Sequence, residues 1–152
     1  MTVTLAEFVR WLEGLIPPSF QEEYDNSGLQ VGDPAARVSS VLLTVDVTPD
    51  VIAEAVSWGC DLVLSHHPLV FRPLKRLAYG NNTETCVAAA LRKDVAVYSA
   101  HTSFDNLGDG VSRILAEKIG LERIRVLEPL KMRLMKLVTF VPESHAAAVR
   151  DA

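Results

Sequence analysis

Apolar positions recur along the chain at two periods, and the switches between them divide it into helices and strands. Leu5, Phe8, Val9, Leu12 and Ile16 stand at helical spacing, with Thr4 and Glu7 at capping-box separation at their start. Pro17-Pro18 stops that helix, because proline lacks the amide donor and clashes with the preceding turn. Tyr24 to Pro34 is turn chemistry around a short apolar patch. Val38 to Val47 is β-branched and mostly apolar, a strand ending at Asp46-Val47. Thr48-Pro49-Asp50 then supplies an N-cap, a proline at the first helical position and an acid near the positive end of the helix dipole. Ile52, Ala55 and Val56, with Ala53 beside them, give the inner face, and Gly59 closes the helix. Asp61 to Ser65 is a second short apolar run. Thr83 opens another helix with Val87, Ala90 and Leu91 inward, and Val95 to Ala100 is a third strand. Asp109 to Ile119 makes a further helix, ended by Gly120.

Apolar strands separated by helix-length segments imply an α/β fold: a mostly parallel sheet flanked by helices, with right-handed crossovers. The tail behaves differently. Leu134 to Val141 reads as a strand, Pro142 ends it, and Glu143-Ser144 opens a helix running from Ala146 to Ala152. So short a piece is unstable without a partner element. The reading is an α/β domain over 1–130 and, over 131–152, the truncated beginning of a second, smaller α/β domain. A helix fraying at a natural C-terminus is the plainer alternative.

The 152 residues suffice for a hydrophobic core. Hydrophobic residues make up 49% and charged residues 22%, the balance of a globular chain. The net charge of −4, with 15 basic residues scattered among 19 acidic ones, argues against a nucleic-acid surface. No apolar run has the length of a membrane span, and Met1 to Arg10 has no basic n-region. Cys60 and Cys86 sit in apolar surroundings and suit a reducing compartment, so the expected location is cytoplasmic.

Two strand ends hold the informative chemistry. One runs into Ser65-His66-His67-Pro68-Leu69, the other into His101-Thr102-Ser103-Phe104-Asp105. In open α/β sheets the carboxyl ends of parallel strands are where ligands bind. Imidazole and carboxylate are the usual ligands of zinc, iron and manganese, so His66, His67 and Asp105 are candidate ligands. Two rings diverging from adjacent residues suit two neighbouring ions better than one. His101 is a ligand or an orienting partner, and Asp46, at the end of the first strand, lines the same crevice or merely terminates its strand. On residue type and spacing alone, metal ligation and ordinary structural histidines are about equally good accounts. Three residues also leave a dinuclear centre short of protein ligands, the rest coming from another segment, another subunit or water.

Weaker candidates surround these. Asp25-Asn26-Ser27-Gly28 reads as a tight turn. Ser65 and Ser103 lack a nucleophile elbow, which argues against a serine hydrolase. Gly108-Asp109-Gly110 is a poor phosphate signal. Arg72, Lys75 and Arg76 form a solvated loop or attract an anionic substrate. His145 is a surface residue.

The chain resembles the NIF-three-like family, whose members carry the name GTP cyclohydrolase I type 2 homologue. The likeness rests on Asp25-Asn26-Ser27-Gly28-Leu29-Gln30-Val31-Gly32, Thr44-Val45-Asp46-Val47-Thr48 and Ser65-His66-His67-Pro68-Leu69-Val70-Phe71. It continues through His101-Thr102-Ser103-Phe104-Asp105 and the helix from Gly110 to Leu121. That resemblance implies a dinuclear centre of two divalent metal ions, with His66 and His67 on different ions and Asp105 on at least one. It also implies a further His and Glu from a C-terminal segment, an inserted smaller α/β domain beginning at Lys131 to Ala152, and a ring-shaped homohexamer. Two functions follow as expectations: a metal-dependent hydrolase of a small molecule, its phosphate or ring carbonyl clamped by the ions, or a non-catalytic metal-binding scaffold or regulator. In a third reading, purely structural, the histidines are core residues.

Overall fold

The computed structural model describes residues 2–127 and 138–150 and separates the chain into two units, 1–122 and 123–152. In the first, β1 (Val3–Thr4) leads into α1 (Leu5–Leu15). There follow β2 (Gly28–Val31), β3 (Arg37–Val38), β4 (Val41–Thr44), α2 (Pro49–Ser57), β5 (Leu62–Ser65), α3 (Asn82–Arg92), β6 (Ala96–Ser99), α4 (His101–Asp105) and α5 (Val111–Lys118).

The N-terminus of α1 is fixed by the capping box. Thr4 Oγ1 accepts from the Glu7 amide, and the Glu7 carboxylate accepts from the Thr4 amide at 2.8 Å. Thr48 caps α2 in the same way through the Val51 amide. Asn81, not Thr83, caps α3, so that helix begins at Asn82.

The main sheet has the order β2-β6-β5-β4. β4, β5 and β6 run parallel, and β2 pairs antiparallel with β6, Gly28 lying opposite Ser99. The sheet is therefore mixed, and what sequence reads as a turn region contains its edge strand. The expected strand from Val38 to Val47 is also two pieces. Ser39 and Ser40 leave the ladder to donate their amides to Asp61 Oδ2 at 2.7 and 3.1 Å, and β3 pairs instead with β1.

Alternate residues of each strand face opposite layers, as the pleat requires. Val63 and Val97 join Leu42, Ile52, Ala55, Cys86, Val87 and Ala90 under α2 and α3. Leu62, Ala96 and Tyr98 join Leu5, Leu12 and Val38 under α1. Val56 and Leu91, expected inward, are exposed at 37% and 53%, and Ala53 is exposed too. Glu84 takes an inward place on α3. Its carboxylate accepts from the Ala78 and Gly80 amides and from Asn81 Nδ2, which holds its pKa below the usual carboxylate range. Both cysteines are buried and free.

In the second unit, a short 3₁₀ turn (Glu143–His145) leads into α6 (Ala146–Arg150). Residues 134–137 of the expected strand lie outside the described residues, and 138–141 form neither helix nor strand among the described residues. No helix among the described residues is long and apolar enough to cross a membrane.

Candidate metal centre

Parallel pairing brings the two chemical motifs together. The ladder continues past β5, with the His66 amide donating to Thr44 O at 3.1 Å and the His67 amide to Val45 O at 2.9 Å. On the other side the Ala100 amide donates to Ser65 O and the His101 amide to His66 O, at 3.0 and 2.8 Å. His66 and His101 are thus joined through their backbones at the carboxyl edge of the sheet.

The segment after β6 is a short helix, which sequence reading left irregular. It places His101 and Asp105 four residues apart, on one face. His101 enters it at φ 33°, the left-handed region that costs a side-chain-bearing residue of order 1–3 kcal/mol. The hydrogen bonds at its amide and ring offset that strain.

All five expected site residues lie at this edge. The rings of His66 and His67 are 4.9 Å apart between centroids, and His101 stands 5.7 and 5.8 Å from them. Phe71 closes one side, edge-on to His101 at 6.1 Å. His66 Nε2 lies 3.7 Å from Asp105 Oδ1, both partly exposed. Asp46 Oδ1 accepts from His67 Nδ1 at 2.7 Å, in an exposed pair. A carboxylate can only accept, so Nδ1 carries the proton and the lone pair is left on Nε2.

His101 has the same arrangement with a partner that sequence reading placed in a turn. Asp25 Oδ1 accepts from His101 Nδ1 at 2.7 Å and from the Asn26 amide at 2.6 Å. Its Oδ2 accepts from Ser27 Oγ, the Thr102 amide and Thr102 Oγ1. Burial opposes ionisation of Asp25, but the donors from Ser27, Thr102, His101 and Asn26 outweigh it and bring the pKa to about 2. Asp25 lies 76 residues from His101, so no local pattern reveals the pair.

The weaker candidates fall elsewhere. Ser65 is buried, bonded to Ser99 Oγ at 2.8 Å and His67 O at 2.9 Å, a structural hydroxyl. Ser103 Oγ is buried with no hydrogen-bond partner among the described residues. Gly110 is explained by close approach: a Cβ there would stand 1.9 Å from Phe104 O. Arg72, Lys75 and Arg76 are exposed, and so is His145, in the second unit.

The donor types suit zinc, iron or manganese. Two ligands each about 2.1 Å from one ion stand up to roughly 4 Å apart, which the 3.7 Å His66–Asp105 separation satisfies. A carboxylate on Nδ1 with Nε2 left open is the usual setting of a metal-bound imidazole. Among the described residues, however, no three His, Cys, Asp or Glu side chains converge on one point. The chain offers ligands in pairs, not a closed cage.

Comparison with known proteins agrees with the sequence motifs. A GTP cyclohydrolase 1 type 2 homolog of Halalkalibacterium halodurans is 38% identical over 146 residues, 95% of this chain and 38% of that protein. NIF3-like protein 1 of Drosophila melanogaster is 38% identical over 126 residues, 82% of this chain and 43% of that protein. The crystal structure of a Bacillus cereus protein related to NIF3 superposes with a TM-score of 0.79 at 32% identity, covering 98% of this chain and 42% of that one. The chain thus spans about two-fifths of the length of these relatives. Residues 3–151 match Duf34/NIF3 (NGG1p interacting factor 3), and the chain belongs to that family.

Proposed function

We propose that His66, His67 and Asp105 hold a pair of divalent metal ions, zinc, iron or manganese, and that the whole protein is a metal-dependent hydrolase of a small molecule. The observation that carries this reading is the convergence of three imidazoles and the Asp105 carboxylate at the carboxyl ends of β5 and β6. When bound, such ions lower the pKa of a water ligand and polarise a phosphoryl or carbonyl oxygen.

The chain's own residues orient and admit. Asp46 and Asp25 fix the ring tautomers of His67 and His101, and Phe71 walls the His101 side. The loop carrying Arg72, Lys75 and Arg76 offers positive charge to an anionic group. None of these residues selects a purine, so the substrate class stays at small, phosphate- or carbonyl-bearing molecules.

A second reading, a non-catalytic metal-binding scaffold or regulator, is favoured by one observation. A cleft of about 140 Å³ lies at the amino ends of β5 and β6, lined by residues including Leu5, Gly32, Arg37, Asp61 and Ala96, and touches none of the histidines.

Hydrolysis of a panel of phosphoesters and nucleotides, with and without added metal, separates the two. The hydrolase reading expects metal-dependent turnover that falls about 100-fold or more in His66→Ala and Asp105→Ala. Metal retention without turnover across the panel selects the scaffold. Turnover indifferent to both substitutions removes the site from the reaction.

A further inference from the structure

Val70, three residues beyond His67, is held at both polar ends of its backbone by side chains from the far edge of the sheet. Its carbonyl accepts from Asn26 Nδ2 at 2.6 Å, and its amide donates to Gln30 Oε1 at 3.2 Å. The other end of the Gln30 amide, Nε2, donates to Asn26 O at 2.7 Å. These three bonds form a closed ring linking residues 26, 30 and 70. Turning the Gln30 amide over would set donor against donor at Val70 and acceptor against acceptor at Asn26, so one orientation satisfies the ring.

We infer that Asn26 and Gln30 are positioning residues: by clamping the Val70 peptide they fix the His66-His67 arm relative to His101. Apolar burial alone does not accomplish this. Leu69 is buried and Val70 packs on the core beneath α2 and α3, but that attraction has no direction and sets depth, not rotation. The clamp supplies the direction, through a backbone that Pro68 stiffens between Val70 and His67. It also seats Phe71 against His101. The same stretch grips the opposite arm, since Asp25 holds the His101 ring and the Thr102 amide. One short segment therefore sets both halves of the cluster, and ligand distances in a metal site tolerate only about 0.2 Å.

The inference rests on the metal reading above, and its test separates the two. Asn26→Ala, Gln30→Ala and Gln30→Met, the last keeping length and packing without the amide, are compared with wild type. Ser39→Ala is the control, removing a 2.8 Å hydrogen bond to Asp61 at the opposite end of the sheet. Backbone hydrogen exchange is measured on the metal-free chain, and Co(II) affinity by visible absorption. Expected for all three variants is faster exchange across residues 66–71, with strands β4 and β5 unchanged, and a Co(II) Kd raised about 10- to 100-fold. Gln30→Met should match Gln30→Ala. Exchange and affinity both resembling Ser39→Ala would overturn the inference, as would a loosened arm with undiminished Co(II) binding. If wild type itself binds no Co(II), the metal reading fails, and hydrogen exchange alone decides the clamp.

Discussion

Asp25→Ala is expected to destabilise the first unit by roughly 3–5 kcal/mol, the range for removing one partner of a buried charged network. The Asp25 side chain is 0% exposed and accepts from five donors, on Asn26, Ser27, Thr102 and His101. Deleting it strands the Thr102 amide and hydroxyl in a partly buried setting and frees the His101 ring. Asp25→Asn keeps the shape but turns an amide donor toward existing donors, and should cost about 2–3 kcal/mol. The effect carries a pH signature. The folded-state pKa of about 2 lies below the ordinary 3.8, so folding favours the ionised form. That contribution, roughly 2 kcal/mol, is fully present above about pH 4 and is lost as pH falls toward 2. Urea unfolding at pH 7 and pH 3 checks both parts. Asp25→Asn should flatten the wild-type loss of stability in that interval. An equally steep decline in the variant would assign the acid sensitivity to another group.

Gly110→Ala is expected to cost at least about 3 kcal/mol and to disturb Asp105. Gly110 caps α5 with an ordinary φ of −84°, so the obstacle is space rather than backbone conformation. Its Cβ would fall 1.9 Å from Phe104 O and 3.0 Å from Leu107 O, and both obstacles are backbone atoms. Relief requires moving the C-terminal end of α4 away from α5, and Asp105 is the residue that follows Phe104. The variant should therefore melt lower and, where it remains folded, separate the Asp105 carboxylate from His66. Thermal unfolding and the crystal structure of the variant test this. A melting temperature within a degree or two of wild type would mean that the α4–α5 turn yields without strain.

Much of the scaffold follows from local rules. The capping box at Thr4 and the Thr48-Pro49-Asp50 start both act within one helical turn, and both form. β5 and β6 are buried on two faces and read as continuous apolar runs. β2 escapes that logic. It is four residues long, flanked by Gly28 and Gly32, and its partner strand lies some seventy residues away. The Ser39-Ser40 break is hidden for the same reason, its cause being Asp61 in another strand. On α3, apolar periodicity favours Leu91 inward, but the loop amides of Ala78 and Gly80 draw Glu84 in.

The candidate site divides along the same line. His66, His67, His101, Asp105 and Asp46 are visible as polar residues at strand ends. The groups that orient them are not, because Asp25, Asn26 and Gln30 act across the sheet through hydrogen bonds that leave no periodic trace.

The account turns on which imidazole nitrogens meet an ion. Nitrogen-15 NMR of the histidine-labelled chain, titrated with zinc, reads this atom by atom. The expected result is a response at Nε2 of His66 and His67, with Nδ1 of His67 keeping its proton on Asp46, and loss of the His66 response in Asp105→Ala. Zinc shifting only the exposed His145, or no ring at all, would contradict it.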